Sequence, residues 1–151
     1  LRMGRAENAK PATFNALYHL GRTAQSQDDT AMARTWYAEA LKTQMRRVIP
    51  LFRWASLKTY QSAVSYPLSA YAVVAVSQNQ PSRAAHLFGA SEILYPPLRF
   101  EMSAKEREEH DQAVASARAA LGEEAFAKAW EEGSKLTLNE AVAYALKELD
   151  P

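Results

Sequence analysis

"LGRTAQSQDDTAMARTWYAEAL", residues 20–41, decides the fold. Two stretches of helix-forming residues flank the polar turn "QSQDD", and Gly21, Ala24, Ala33 and Ala40 fall where helices joined by such a turn meet. One ring, Tyr37, stands among them. Gly21 and Ala33 lack bulk, so the first helix can approach the second closely, and Tyr37 with Leu17 and Leu20 is expected to fill the space beside them. Asp28 and Asp29 supply the turn and a carboxylate at the next helix's N-terminus, where free N–H groups favour an acceptor.

A second copy lies 51 positions downstream. Leu68, Tyr71, Ala72 and Ala75 match the first set, and Ala84, Phe88 and Ser91 match the second, so that "NQPSRAAHLFGASEIL" answers "DDTAMARTWYAEAL". Order and spacing resemble the tetratricopeptide (TPR) repeat, a helix-turn-helix unit of roughly 34 residues. Leu17 stands for its Trp, Ala24 for its Tyr and Met45 for its terminal Pro, so the second helix is expected to run a turn longer than usual. Because 51 exceeds one period, "VIPLFRWASLKTYQSAV" (residues 48–64) is expected to be an inserted helix or a long extension of a repeat helix. Leu51, Trp54, Ala55, Leu57, Lys58 and Gln61 give it an amphipathic pattern with Trp54 inward, and Pro67 is expected to start or kink the next helix.

Further along, "YPPLRFEM" reads as a loop, since adjacent prolines forbid helix continuation. Ser103 and Glu106 form a capping box for a polar helix that runs to Leu121, with Gly122 as its C-cap and Ala113, Val114, Ala117 and Leu121 as its buried stripe. "EEAFAKAWEEG" places Phe126, Ala129 and Trp130 on one face, and Thr137 with Glu140 gives a second capping box. The reading is an all-α, TPR-like helical-hairpin repeat (an α-solenoid) of about eight helices. It forms a single domain over 1–151, with copies at about 14–47 and 65–98 and capping helices over about 103–149.

Composition agrees. At 151 residues and 48% hydrophobic, with five Gly and no Cys, the chain suits one helical domain and excludes disulfides, thiolate metal sites and Cys nucleophiles. No apolar stretch has the length of a membrane span, and a soluble cytoplasmic protein is expected. Formal charge is +1, but residues 1–100 hold 12 Lys/Arg against 5 Asp/Glu, and 101–151 hold 6 against 12. Two solvated faces are the preferred reading of that asymmetry, a docking surface the other. Beginning at Leu1, the chain reads as an excised piece of a longer polypeptide.

Neither a catalytic centre, a cofactor nor a metal site is expected. His19, His86 and His110 fall on separate helices without metal-ligand spacing, and His110, within "KEREEHDQ", is expected to be solvated. No Gly-rich phosphate loop and no G-x-S-x-G is present. Arg46, Arg47, Arg53 and Lys58 make a basic patch that reads as a helix end meeting its own dipole and an acidic neighbour rather than as a phosphate track, so nucleic-acid binding is not expected of this stretch. In a repeat superhelix the first helix of each pair lines the concave face. That face would carry Asn15, Tyr18, Arg22 and Gln25 in the first copy and Tyr66, Ser69, Val73 and Val76 in the second. This groove is the expected binding site for a protein partner, upstream domains of the same chain, or a small effector. Tyr18 and Ala70 stand where a carboxylate-clamping TPR would place polar groups, so chaperone C-terminal peptides are not expected.

From Gln80 onward, "QPSRAAHLFGASEIL" and "AVASARAALGEEAFAKAWEEGSKLTLNEAVAYAL" resemble the C-terminal region of large bacterial ATPase-containing transcriptional regulators of the LuxR-type, STAND-like class. The resemblance implies a non-catalytic sensor or interaction arm that modulates an upstream ATPase, which in turn controls transcription. A free-standing TPR adaptor, joining proteins or copies of itself, is the alternative.

Overall fold

The computed structural model describes residues 10–51 and 57–147, with side chains over 15–45 and 61–147. Among the described residues the protein is all-α: α1 (Lys10–Ser26), α2 (Thr30–Leu51), α3 (Leu57–Ser77), α4 (Pro81–Leu94), α5 (Leu98–Glu101), α6 (Ala104–Leu121), α7 (Glu123–Ser134) and α8 (Leu138–Leu146).

The first four helices form two hairpins, α1–α2 and α3–α4, joined by the packing of α2 on α3. Their turns repeat bond for bond at the 51-residue offset. Asp28 and Asn79 both adopt the left-handed conformation, at φ 57° and 59°, which short polar side chains tolerate. In the first turn Asp29 N donates to Ala24 O and Ala33 N to Asp29 O, each at 2.9 Å. In the second, Gln80 N donates to Ala75 O at 2.9 Å and Ala84 N to Gln80 O at 3.0 Å. The expected carboxylate cap is Asp29, whose Oδ1 accepts from Met32 N at 3.0 Å. In the second hairpin Pro81 opens α4 instead, its missing N–H costing nothing there.

Gly21 acts as the sequence requires, since a Cβ on it would fall inside the Tyr37 ring. Leu17, Ala24, Ala33, Tyr37 and Ala40 are buried, as are Leu68, Tyr71, Ala72, Ala75, Ala84, Phe88 and Ser91. Leu20 differs: it is 37% exposed and does not fill the space beside Tyr37. The ring is seated over Gly21, with Tyr18 5.8 Å away and its hydroxyl bonded to Gln25.

The extra length between the copies goes into long helices, α2 continuing to Leu51 and α3 beginning at Leu57. Pro67 therefore lies inside α3 and does not start it. Trp54 falls outside the described residues.

The remaining helices wrap the second hairpin. α7 lies on α4, where Gly89 faces the Trp130 backbone and Gly133 the His86 carbonyl so closely that neither position has room for a Cβ. Between them the Pro-rich link is more than a loop: α5 forms one helical turn, and Tyr95, Leu98 and Met102 make a small core against Tyr66. Ser103 and Glu106 form the full capping box of α6, and Gly122 at φ 83° ends it. At Thr137 only half of the expected box forms, the hydroxyl accepting from Glu140 N at 3.2 Å.

Ala113 and Ala117 are buried on α6, with Val114 and Leu121 beside them. The same stripe holds His110, which is 2% exposed and edge-on to Phe88 at 4.9 Å, not solvated. Positions 110, 113 and 117 share one helical face, and that face turns to α4.

Candidate functional site

Tyr18 and Arg22 are four residues apart and stand one above the other on α1. Facing them, Glu106 and Glu109 share one side of α6. Tyr18 Oη donates to Glu106 Oε1 at 3.0 Å, and Arg22 Nη1 to Glu109 Oε2 at 2.6 Å, with Arg22 Nε 3.9 Å from Glu106 Oε1. Glu106 is held in place by its own helix, since Oε2 accepts from both Ser103 N at 3.0 Å and Ser103 Oγ at 2.7 Å. The capping box thus orients the carboxylate that reaches α1. The basic N-terminal and acidic C-terminal parts of the sequence meet at this seam.

Electrostatics follow from the geometry. Burial, and then the Glu106 charge, push the Tyr18 hydroxyl far above the usual phenol range. Desolvation works against the charged form of Glu106, but the Ser103 and Tyr18 hydrogen bonds and the Arg22 charge outweigh it and leave the carboxyl below its ordinary value. For Arg22, desolvation is likewise overcome by the Glu109 hydrogen bond and charge, so the guanidinium is held more firmly protonated. Tyr37, pushed up chiefly by burial, donates to Gln25 Oε1 at 2.8 Å. Tyr18 joins the rings, 5.8 Å from Tyr37 and 6.3 Å from Tyr66.

The expected groove residues are distributed as follows. Tyr18 and Arg22 engage α6, and Gln25 engages Tyr37. Tyr66 packs against the Tyr95, Leu98 and Met102 cluster, Ser69 is buried, and Val73 and Val76 lie against the main core. Asn15 is exposed. In this chain, therefore, α6 packs on α3 and α4 and bonds to α1 through these residues. Beside the seam a shallow polar pocket of about 230 Å³ remains, lined by His19, Arg22, Thr23, Gln25, Ser26, Lys105 and Glu109.

The basic patch of Arg46, Arg47, Arg53 and Lys58 lies outside the described side chains. His86 bridges α4 to α7, its Nε2 3.0 Å from Glu132 Oε2 and its ring stacked on Tyr144 at 5.2 Å. Among the described residues no three His, Asp or Glu side chains are grouped to hold a metal, and no helix is long and apolar enough to cross a membrane.

Sequence reasoning passed over two features. Glu109 was lost in a polar run, though Glu-x-x-Glu on one helical face opposite a basic segment was the available signal. Arg83 sits under α8, donating to the Ala145 carbonyl and lying over the Tyr71 and Tyr144 rings at 5.7 and 5.6 Å. It caps the C-terminus of α8, where a cation is favoured by the helix dipole. Compared with known proteins, the chain matches no family model, no curated protein and no solved structure.

Proposed function

We propose that the chain is a non-catalytic, TPR-like interaction and sensor module, the C-terminal arm of a cytoplasmic bacterial ATPase-containing transcriptional regulator. Its inner face reads a protein partner or effector and passes the result to the upstream ATPase. The observation that carries the interaction role is the convergence of Tyr18 and Arg22 from the first hairpin with Glu106 and Glu109 from α6. The contact is polar and its ion-pair side chains keep 22–30% of their surface exposed, and partly solvated pairs of this kind contribute little enough to be exchanged for others. A ligand that competes for Arg22 would separate the first hairpin from α6, and this separation is the signal. The regulator context rests on the sequence resemblance of residues 80–146.

The test is ATP turnover and reporter transcription by the intact polypeptide, with Tyr18→Ala and Arg22→Ala against the wild type. Basal output should shift towards the partner-bound level and lose its response. An unchanged basal level together with an unchanged response would refute the role of the seam.

A further inference from the structure

The 51-residue repeat provides an internal control for what each surface is built to meet. Pro67, Tyr71 and Val74 on α3, with Gln78 just after it, form one stripe at helical spacing. Pro67, Tyr71 and Val74 are buried, Tyr71 to 1%. Part of the cover comes from α2 of the preceding hairpin, whose Arg34 donates from Nε to Tyr71 Oη at 2.8 Å and from Nη1 to Gln78 Oε1 at 3.4 Å. The equivalent positions are Ala16, Leu20 and Thr23 on α1 and Gln27 in the turn after it, as Gln78 follows α3. There Leu20, Thr23 and Gln27 are exposed and Ala16 half-buried.

Met32, at the foot of α2, is 45% exposed, whereas its counterpart Arg83 is 5% exposed because α8 covers it, so that difference belongs to the C-terminal helices. Leu20 and Met32 are two of the four large hydrophobic residues exposed among the described residues.

The geometry points to a further helical hairpin, N-terminal in the same polypeptide, whose second helix lies on the Ala16–Leu20–Thr23–Gln27 stripe as α2 lies on α3. The interface continues one already present in the molecule: Gln27 stands where Gln78 accepts Arg34, and Leu20 where Tyr71 packs. The opposite end of the stack offers no such match, since α7 presents Glu123, Glu124, Lys128 and Glu131 to solvent. Growth in the N-terminal direction is therefore the one the surface fits. This inference rests on the stacking of the hairpins and not on the seam with α6, so either can fail alone.

Because the chain has no cysteine, Leu20→Cys gives a single reporter thiol. Its rate of reaction with a maleimide would be measured in the 151-residue chain and in one extended by a preceding hairpin. In the extended chain residues 10–56 stand in front of residues 6–151, which preserves the 51-residue spacing. Lys128→Cys on α7 serves as the control. The expected result is a fall of at least about tenfold in the Leu20→Cys rate on extension, one cooperative melting transition, and an unchanged control. An unchanged Leu20→Cys rate, or two independent transitions, would overturn the inference. So would protection in the 151-residue chain that grows with protein concentration, which would assign the face to a second copy.

Discussion

The two hairpins share a turn and differ in what fills and covers them. In the first, a large polar ring, Tyr37, fits because Gly21 gives way beneath it, and the hydroxyl is accommodated by Gln25. In the second, Phe88 has no hydroxyl to satisfy and packs on His110 and Trp130 from α6 and α7. A single backbone design thus serves two environments: an outer hairpin held by its own contacts, α2–α3 packing and a polar seam, and an inner one enclosed by α6, α7 and α8.

Core truncation should separate the two most strongly. Phe88→Ala is expected to cost about 4 to 5 kcal/mol, because it also strips contacts from α6 and α7, and Tyr37→Ala about 3 kcal/mol. Chemical denaturation of both variants checks this, and equal losses would break the distinction. Next comes the glycine. Gly21→Ala should destabilise by about 2 kcal/mol despite the better helix propensity of Ala, since the new methyl meets the Tyr37 ring. The mirror change Ala72→Gly should cost about 1 to 2 kcal/mol, the propensity difference plus the loss of a buried methyl. A stabilised Gly21→Ala protein in a thermal melt would show that the ring is not seated there. Smaller again is Tyr37→Phe, which removes the bond to Gln25 and should cost about 1 kcal/mol.

Acid should act on the seam before the cores. Glu106 has a folded-state pKa below the ordinary 4.5, so its contribution is full above that value and is lost as pH falls through the depressed one. Melting curves of the wild type and Glu106→Gln should therefore differ at neutral pH and converge in acid. A difference that grows on acidification would contradict the assignment.

Much of this architecture was legible in residues 20–41 because close helix approach demands small side chains at fixed spacing, and few other needs produce that pattern. The turn at Asp28 and Asp29, the Ser103 capping box and the Gly122 stop were readable for the same local reason. What escaped depended on distant neighbours. Leu20 looks like a core residue by its place in the repeat, yet it is 37% exposed. His110 looks solvated because six of its neighbours in "KEREEHDQ" are charged, yet its phase with Ala113 and Ala117 turns it inward. Of the two alternatives for Pro67, starting a helix or kinking one, the course of α3 excludes the first, since the residue lies within it. The seam needed both partners at once: Tyr18 and Arg22 were singled out as a groove, but nothing local says that Glu106 and Glu109 lie across from them.

The central claim is that the first hairpin is coupled to α6 through Arg22 and Glu109. A double-mutant cycle of Arg22→Ala and Glu109→Ala, read by denaturant unfolding at low salt, tests it most directly. The account predicts a coupling of about 1 kcal/mol that shrinks as salt is added. Additive losses, with no coupling at any ionic strength, would contradict it.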